Sequence, residues 1–480
     1  MMVVWPNFRA GLAWLPLGIA LVWVGLLAVA ADFGTTAFAA PLLAAAALIP
    51  AFIFFKASQG SHFAIATVLI LAVVLMDAKI NLSRDPFEFT WQTAIKAAAW
   101  IGMIAIAAMR WRKITRISLR PEIVLLFLYA AIAAVSALWS LKPVFTGGAG
   151  LGLLGYGAFA CVVAAELNEE TVIRILVWSL LFYVCASQIY GLAVPDLAWD
   201  DEFGIGPYRL QGFTAHPNIL GGLAAILILM ATAAWQRALI GHAAYFGSFA
   251  LGSVTLAATD SRTAIIALFV AWALVALRNS RFGGAIVMGV LAAVSFAVIL
   301  AACDALPDLA GFSSKLSRTG GTGEVLTLTG RTDLWSFVWS KILQKPFFGW
   351  GFAGTEDLIA DNMDPKIFGI VRHAHNMFLQ SLLSVGFVGS IPGFVYMALL
   401  VHRFIFEPDF TRDRLTLFVL VSGFTEPSVF AVPVVATFIF YWVVAQDAAK
   451  WVSAGTARFE PVNRSINAPV GPAEPEPIQT

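Results

Sequence analysis

The sequence predicts an all-α polytopic integral membrane protein with about 12 to 14 transmembrane helices. One long, partly helical loop is expected on its outer side. Three observations carry this. Of 480 residues 60% are hydrophobic and only 12% charged, against about 25% charged in an ordinary soluble domain. Apolar runs of bilayer length recur from end to end of the chain. The basic residues gather in alternate connectors.

The runs lie near 11–31, 35–55, 62–76, 94–109, 122–141, 146–165, 171–194, 217–235, 240–258, 263–277, 283–302, 376–401, 415–430 and 431–447. Several fall short of the roughly 20 residues of a perpendicular helix, so their bounds are soft. The first, "GLAWLPLGIALVWVGLLAVAA", follows Arg9 and lacks a small-residue cleavage site after it, so it reads as a retained helix. Pro427 and Pro433 interrupt the last two, which could be one long broken helix. Cys161, Cys185 and Cys303 show no paired spacing, and neither a structural disulfide nor a metal–thiolate site is expected.

Charge sets the orientation. "RWRKITRISLR" (110–120) carries only basic charges, and "RNSR" (278–281) and "HRFIFEPDFTRDR" (402–414) are basic connectors too. With Arg9, Lys56 and Arg237 they fall on one side if each run crosses once, and the positive-inside rule makes that side cytoplasmic. The chain then divides into N-terminal helices (1–200), helices with outer motifs (201–302), the long outer loop (303–375), C-terminal helices (376–450) and a disordered cytoplasmic tail (451–480).

Four polar clusters collect on the outer side. "PYRLQGFTAHPN" brings Arg209, His216 and Asn218, and "TDSRT" brings Asp260, Ser261 and Arg262. The long loop brings Arg331, Lys341 and Lys345 among many aromatics, and "RHAHN" brings Arg372, His373, His375 and Asn376. Three clusters precede helices that run inward, whose N-termini and dipoles favour an anion. Arginines there fit a diphosphate at headgroup depth. A helix beginning one turn early would put Arg372, His375, Asn376 and Gln380 on one face. A histidine held neutral by neighbouring arginines can act as a general base. In "TDLWSFVWSKIL" the apolar spacing suggests an amphipathic helix on the membrane surface, its aromatics serving first as interface anchors.

Blander readings compete. Arginine and lysine at helix ends often snorkel to headgroups. His216, before proline, reads as a cap, His373 as a neighbour of the base, and Asp260 as an ion-pair partner of Arg262. Glu426, at an outer turn, could touch the site. His62, His242 and His402 read as interfacial. "GLGLLG" (150–155) fits a dinucleotide fingerprint but lies within a span, so Gly148 and Gly152 are assigned to helix packing.

"HNMFLQSLLSVGFVG" resembles the His-Asn, nine residues, Gly-x-x-Gly pattern of the O-antigen ligase and polymerase superfamily, with His375, Asn376, Gly386 and Gly389 at its fixed positions. "DSRT" and "GRTDLW…PFFGWGFAGT" are similar to that family in the same order, so the resemblance covers about 200–445. It implies an inner-membrane glycosyltransferase acting at the periplasmic face, with both termini cytoplasmic. The donor would be an undecaprenyl-diphosphate-linked glycan and the acceptor a glycan or lipid A–core. Arg262 and Arg331 would bind the diphosphate, with looser matches at Arg209 and Arg372, and His375 would activate the acceptor. No metal, cofactor or nucleic acid is expected.

Ligase and repeat-unit polymerase share these motifs, and helices beyond a twelve-span plan tilt the reading toward an exopolysaccharide or O-antigen polymerase. A transporter or flippase is the alternative from another class. Such proteins concentrate ionisable groups near mid-membrane, whereas these gather at one face.

Overall fold

The computed structural model describes residues 52–79, 91–200, 208–278, 331–360 and 372–459. The runs near 11–31 and 283–302, most of 35–55, Cys303 and the final 21 residues lie outside them. The described chain is helical apart from one antiparallel pair, β1 (Trp199–Asp200) with β2 (Arg209–Leu210).

In order, the helices are α1 (His62–Leu75), α2 (Trp91–Met109), α3 (Trp111–Ser118), α4 (Pro121–Val135), α5 (Pro143–Glu166), α6 (Glu169–Ala193) and α7 (Pro195–Ala198). After the strands come α8 (Pro217–Gln236), α9 (His242–Thr259), α10 (Arg262–Arg278), α11 (Arg331–Gln344), α12 (Glu356–Ala360), α13 (Met377–Phe406), α14 (Phe410–Gly423) and α15 (Val435–Phe459). Six of these, α2, α4 with the turn after it, α5, α6, α8 and α13, are long and apolar enough to cross a membrane. The chain is therefore an all-α polytopic membrane protein.

Two helices form the centre. In α5 the glycines set how closely neighbours approach: a Cβ on Gly150 would lie 2.4 Å from the Ala134 Cα, and one on Gly152 2.6 Å from Pro433. The fingerprint-like "GLGLLG" is thus a packing surface. Gly148 has open space around it and takes no part in this packing. Around α5, Tyr156, Phe159 and Phe438 stack in the core. The second central helix, α8, is buried along most of its length.

One end of the bundle is tied by ion pairs. Arg403 meets Glu122 at 3.0 Å and also pairs with Asp447, which receives Arg412 at 2.9 Å. Arg278 pairs with Asp413, Lys450 reaches Glu169 at 3.1 Å and Asp409 at 2.8 Å, and Arg237 reaches Glu169 at 2.9 Å. The connectors 110–120, Arg237, Arg278 and 402–414 share this end, as their basic character led one to expect.

The last two apolar runs are separate helices and not one long broken one, joined by a turn that contains Pro427, Pro433 and the 3-10 segment Ser428–Phe430. Two expectations change. The tail expected to be disordered from 451 continues α15 as far as Phe459. The run 376–401 is no straight rod. Gly386 (φ 70°, ψ −176°) breaks α13 in two. In a straight helix Phe378 and Phe394 would be roughly 24 Å apart, yet their rings are 5.5 Å apart and the Ser381 and Ser390 hydroxyls 2.8 Å apart. Segment 377–385 therefore folds back on 387–406 at an acute angle.

Candidate active site

The break in α13 is held by backbone from the long loop. Trp350 N and Gly351 N donate to the carbonyls of Leu383 and Ser384, at 2.9 and 2.8 Å. Phe387 N and Val388 N donate to the carbonyls of Pro346 and Phe347, at 2.7 and 3.2 Å. The hairpin 346–351 thus supplies the hydrogen-bond partners that a helix end otherwise lacks, on both sides of the gap. "PFFGWG" and the Gly-x-x-Gly motif are two halves of one joint. The loop is further fixed by Phe352 N donating to the Ser136 hydroxyl (2.9 Å) and by Trp139 Nε1 donating to the Phe348 carbonyl (3.0 Å).

Because 377–385 folds back, its N-terminal end lies beside Phe424 and Phe394. Asn376 caps it: its Oδ1 accepts from Phe378 N (2.9 Å) and Leu379 N (3.0 Å), and its Nδ2 donates to the Phe424 carbonyl (3.1 Å). His375 stands just outside the helix at φ 45°, a left-handed conformation that histidine tolerates better than most residues. Arg372, His375 and Asn376 therefore do not share a helical face as the early-starting helix required. Gln380 does turn back to them: its Oε1 accepts from Ala374 N at 2.9 Å, and its Nε2 donates to the Thr355 hydroxyl at 3.1 Å. Trp335 Nε1 donates to the Ala374 carbonyl (2.9 Å), which fixes the backbone between the two histidines.

The imidazole of His375 faces a carboxylate. Its Nδ1 lies 3.6 Å from Glu426 Oε2, too far for a hydrogen bond, and Nδ1 is buried with no hydrogen-bond partner among the described residues. The other carboxylate oxygen, Oε1, accepts from Asn218 Nδ2 at 2.8 Å, and Asn218 Oδ1 accepts from the Arg209 guanidinium at 2.6 Å. Arg209 Nε donates to the Thr259 carbonyl at 2.9 Å, at the end of α9. A chain of contacts Arg209–Asn218–Glu426–His375 results. Arg209 is only 3% exposed. Its guanidinium donates to the Thr259 carbonyl and to Asn218, which ties the expected diphosphate ligand Arg209 into this chain.

The other expected residues are placed as follows. Nδ1 of His216 accepts from Asn218 N at 3.1 Å, so His216 caps α8. Asp260 ends α9 in the left-handed conformation (φ 43°), and its carbonyl accepts from Arg262 N at the start of α10. Thr263, next to Arg262, shares a hydrogen bond with Thr425 at 2.9 Å, which brings the "DSRT" segment to the Glu426 turn. Arg331 begins α11, which packs along α13. The helix N-termini at α8 and α13 face the site as expected, but His216 and Asn376 already occupy some of their N–H groups.

One residue was missed by sequence reasoning. Glu356, in α12, is buried, and its Oε1 lies 3.9 Å from His373 Nε2. Burial pushes its carboxyl up to about 7, reinforced by Asp357 and opposed by Arg372. The imidazole of His373, 34% exposed, is pushed down toward about 4 by the partial burial of its ring, then by His375, His216 and Arg372, with Glu426 opposing. The depressed histidine is thus His373. The signal in the sequence was slight: "GTED" is an acidic pair in an otherwise aromatic and glycine-rich stretch.

Residues 247–392 match the family model described as O-antigen ligase. No curated protein matches the chain at a significant level. The matched region takes in Asp260, Arg262, Arg331, the Arg372–Asn376 segment, Gly386 and Gly389, and stops short of Glu426 and Arg209. With the motifs in order along it, this domain supports the O-antigen ligase and polymerase superfamily for residues 247–392.

Proposed function

We propose that the protein is a metal-independent, inverting glycosyltransferase at the periplasmic face of a bacterial inner membrane. It moves an oligo- or polysaccharide en bloc from undecaprenyl diphosphate to an acceptor sugar hydroxyl. Nε2 of His375 takes the hydroxyl proton as the acceptor oxygen attacks the anomeric carbon. The bond from that carbon to the diphosphate oxygen breaks, and Arg262, Arg331 and Arg372 offset the charge that grows on the leaving group. Glu426 faces Nδ1, so it orients the ring and stabilises the imidazolium. The diphosphate is already a good leaving group, so holding it and aligning the hydroxyl supply most of the catalysis.

The observation that supports this reading best is the His375–Glu426 pair at 3.6 Å, joined through Asn218 to Arg209 beside the helix ends that carry Arg262 and Asn376. Repeat-unit polymerisation of O-antigen or exopolysaccharide is the favoured form, with ligation to lipid A–core as the alternative. The test is transfer by purified protein from a lipid-diphosphate-linked glycan in metal-free buffer, with products separated by size. Ladders from donor alone mean polymerase, and product formed only on added lipid A–core means ligase. No product, or a His375→Ala variant as active as wild type, refutes the assignment and favours transport.

A further inference from the structure

The hairpin 346–351 does more than close the break in α13. Its tip points away from the protein: Phe347 is 65% and Phe348 60% exposed. Phe347 adjoins an apolar stripe on α13, where Phe387, Ile391 and Val395 recur every four residues and are 43–57% exposed, while the Phe348 ring meets Trp139 edge-on at 6.1 Å. The backbone register of hairpin and stripe is fixed by the bonds from Phe387 N and Val388 N to Pro346 and Phe347.

Depth says what covers this surface. Arg403 lies in the ion-paired layer at one end of the bundle. From there to Gly386 is 17 residues, or roughly 26 Å of helix, less than the roughly 30 Å of a hydrocarbon core. Any tilt brings the break lower still. Irregular backbone at that depth is tolerated where its polar groups are satisfied within the protein, and here main-chain bonds to both sides of the break, the Gly349 N–Lys345 carbonyl bond and Trp139 Nε1 satisfy most of them. We propose that 346–351 is a re-entrant wedge whose partner is the acyl-chain region of the outer leaflet, with Phe347 and Phe348 seated among lipid tails. The loop is thereby anchored below the headgroups. Lys345, which stacks over Trp350 at 4.1 Å, keeps its ammonium at the interface. The proposal does not depend on the catalytic reading.

The test uses full-length protein with Cys185 and Cys303 replaced by alanine, reconstituted in phosphatidylethanolamine–phosphatidylglycerol vesicles. Nitroxide labels are placed singly at Phe347→Cys and Phe348→Cys. Val388→Cys, 46% exposed beside the apolar stripe, is the lipid-facing reference. Lys142→Cys is the aqueous one, since the exposed Lys142 ammonium pairs with Asp357 at the outer end of α5. Power saturation compares collision with oxygen against collision with a water-soluble nickel chelate. The expected oxygen-to-nickel ratio at 347 and 348 matches that at 388 and exceeds that at 142 severalfold. A ratio at both tip positions equal to that at 142 overturns the proposal.

Discussion

Replacing Gly386 with alanine tests the broken-helix joint directly. At φ 70°, ψ −176° the backbone occupies a region open almost only to glycine, and a side chain there costs about 1–3 kcal/mol. The added Cβ would also lie 2.3 Å from the Phe347 carbonyl oxygen and 2.5 Å from Phe348 N. Those are backbone atoms that no rotamer change can move aside. Displacing them breaks at least the two bonds from Phe387 N and Val388 N, each worth about 0.5–1.5 kcal/mol net. The sum is a loss of about 2–6 kcal/mol. Gly222, in α8, is the control: it has no atom within 4 Å of an added Cβ, and alanine there should gain up to about 1 kcal/mol of helix propensity. Denaturant unfolding of both variants in mixed micelles reads the difference. A Gly386→Ala variant within about 0.5 kcal/mol of wild type would show that the hairpin does not hold the break.

Further expectations concern the site. His375→Ala should lower transfer by about 10²–10⁴-fold, the range general-base catalysis contributes, and Glu426→Gln by at least about tenfold with little change in donor KM, read from steady-state rates. Arg209→Lys cannot span Thr259 and Asn218 at once, so kcat should fall about tenfold at constant donor KM if Arg209 positions Glu426, whereas a raised donor KM marks it as a diphosphate ligand. The Glu356 and His373 titrations oppose each other. The carboxyl of Glu356 sits at about 7, above its ordinary 4.5, so its stabilising contribution is complete at low pH and is lost as pH rises toward 7, by about 3 kcal/mol. His373 sits at about 4, below its ordinary 6.5, so its contribution is complete above 6.5 and is lost as pH falls toward 4. Glu356→Gln should therefore leave stability rising between pH 4 and 6.5, and His373→Gln should leave it falling between pH 4.5 and 7. Identical pH profiles of thermal midpoint in both variants would contradict the pairing.

The sequence makes the spans legible because apolar runs in a membrane protein are long and bounded by charge. The runs read at 146–165 and 217–235 correspond to Pro143–Glu166 and Pro217–Gln236. It marks His375 and Asn376 through a motif, and the helix starts at 217, 262 and 377 through their polar flanks. The break at Gly386 is hidden, since an isolated glycine inside a helical pattern is ordinarily tolerated and its partner loop is some 40 residues away. The left-handed turn at His375 is hidden for the same reason: local spacing continues the helix one turn early, while the cap by Asn376 and the bond from Ala374 N to Gln380 stop it. Glu426 reads as an outer-turn residue that could touch the site, but its bond from Asn218, 208 residues earlier, is invisible to local sequence.

The packing of the bundle bears on transfer against transport. Alternating access requires one group of helices to rock against another around a midplane site. Here the end away from His375 ties α4 to α13 through Glu122–Arg403, α14 to α15 through Arg412–Asp447, and α6 to α8 and α15 through Glu169 with Arg237 and Lys450. Arg278–Asp413 adds α10 to α14. Leaving a buried member such as Asp413 or Asp447 without its partner costs about 3–5 kcal/mol, and a rocking boundary through these helices separates at least one pair. Between that layer and the site, Tyr156, Phe159, Phe438 and Trp442 are fully buried. A bundle tied at one end and filled at its centre gives a fixed platform, with ionisable groups gathered where its helices end. That arrangement suits holding a diphosphate and a hydroxyl in register better than carrying a headgroup across.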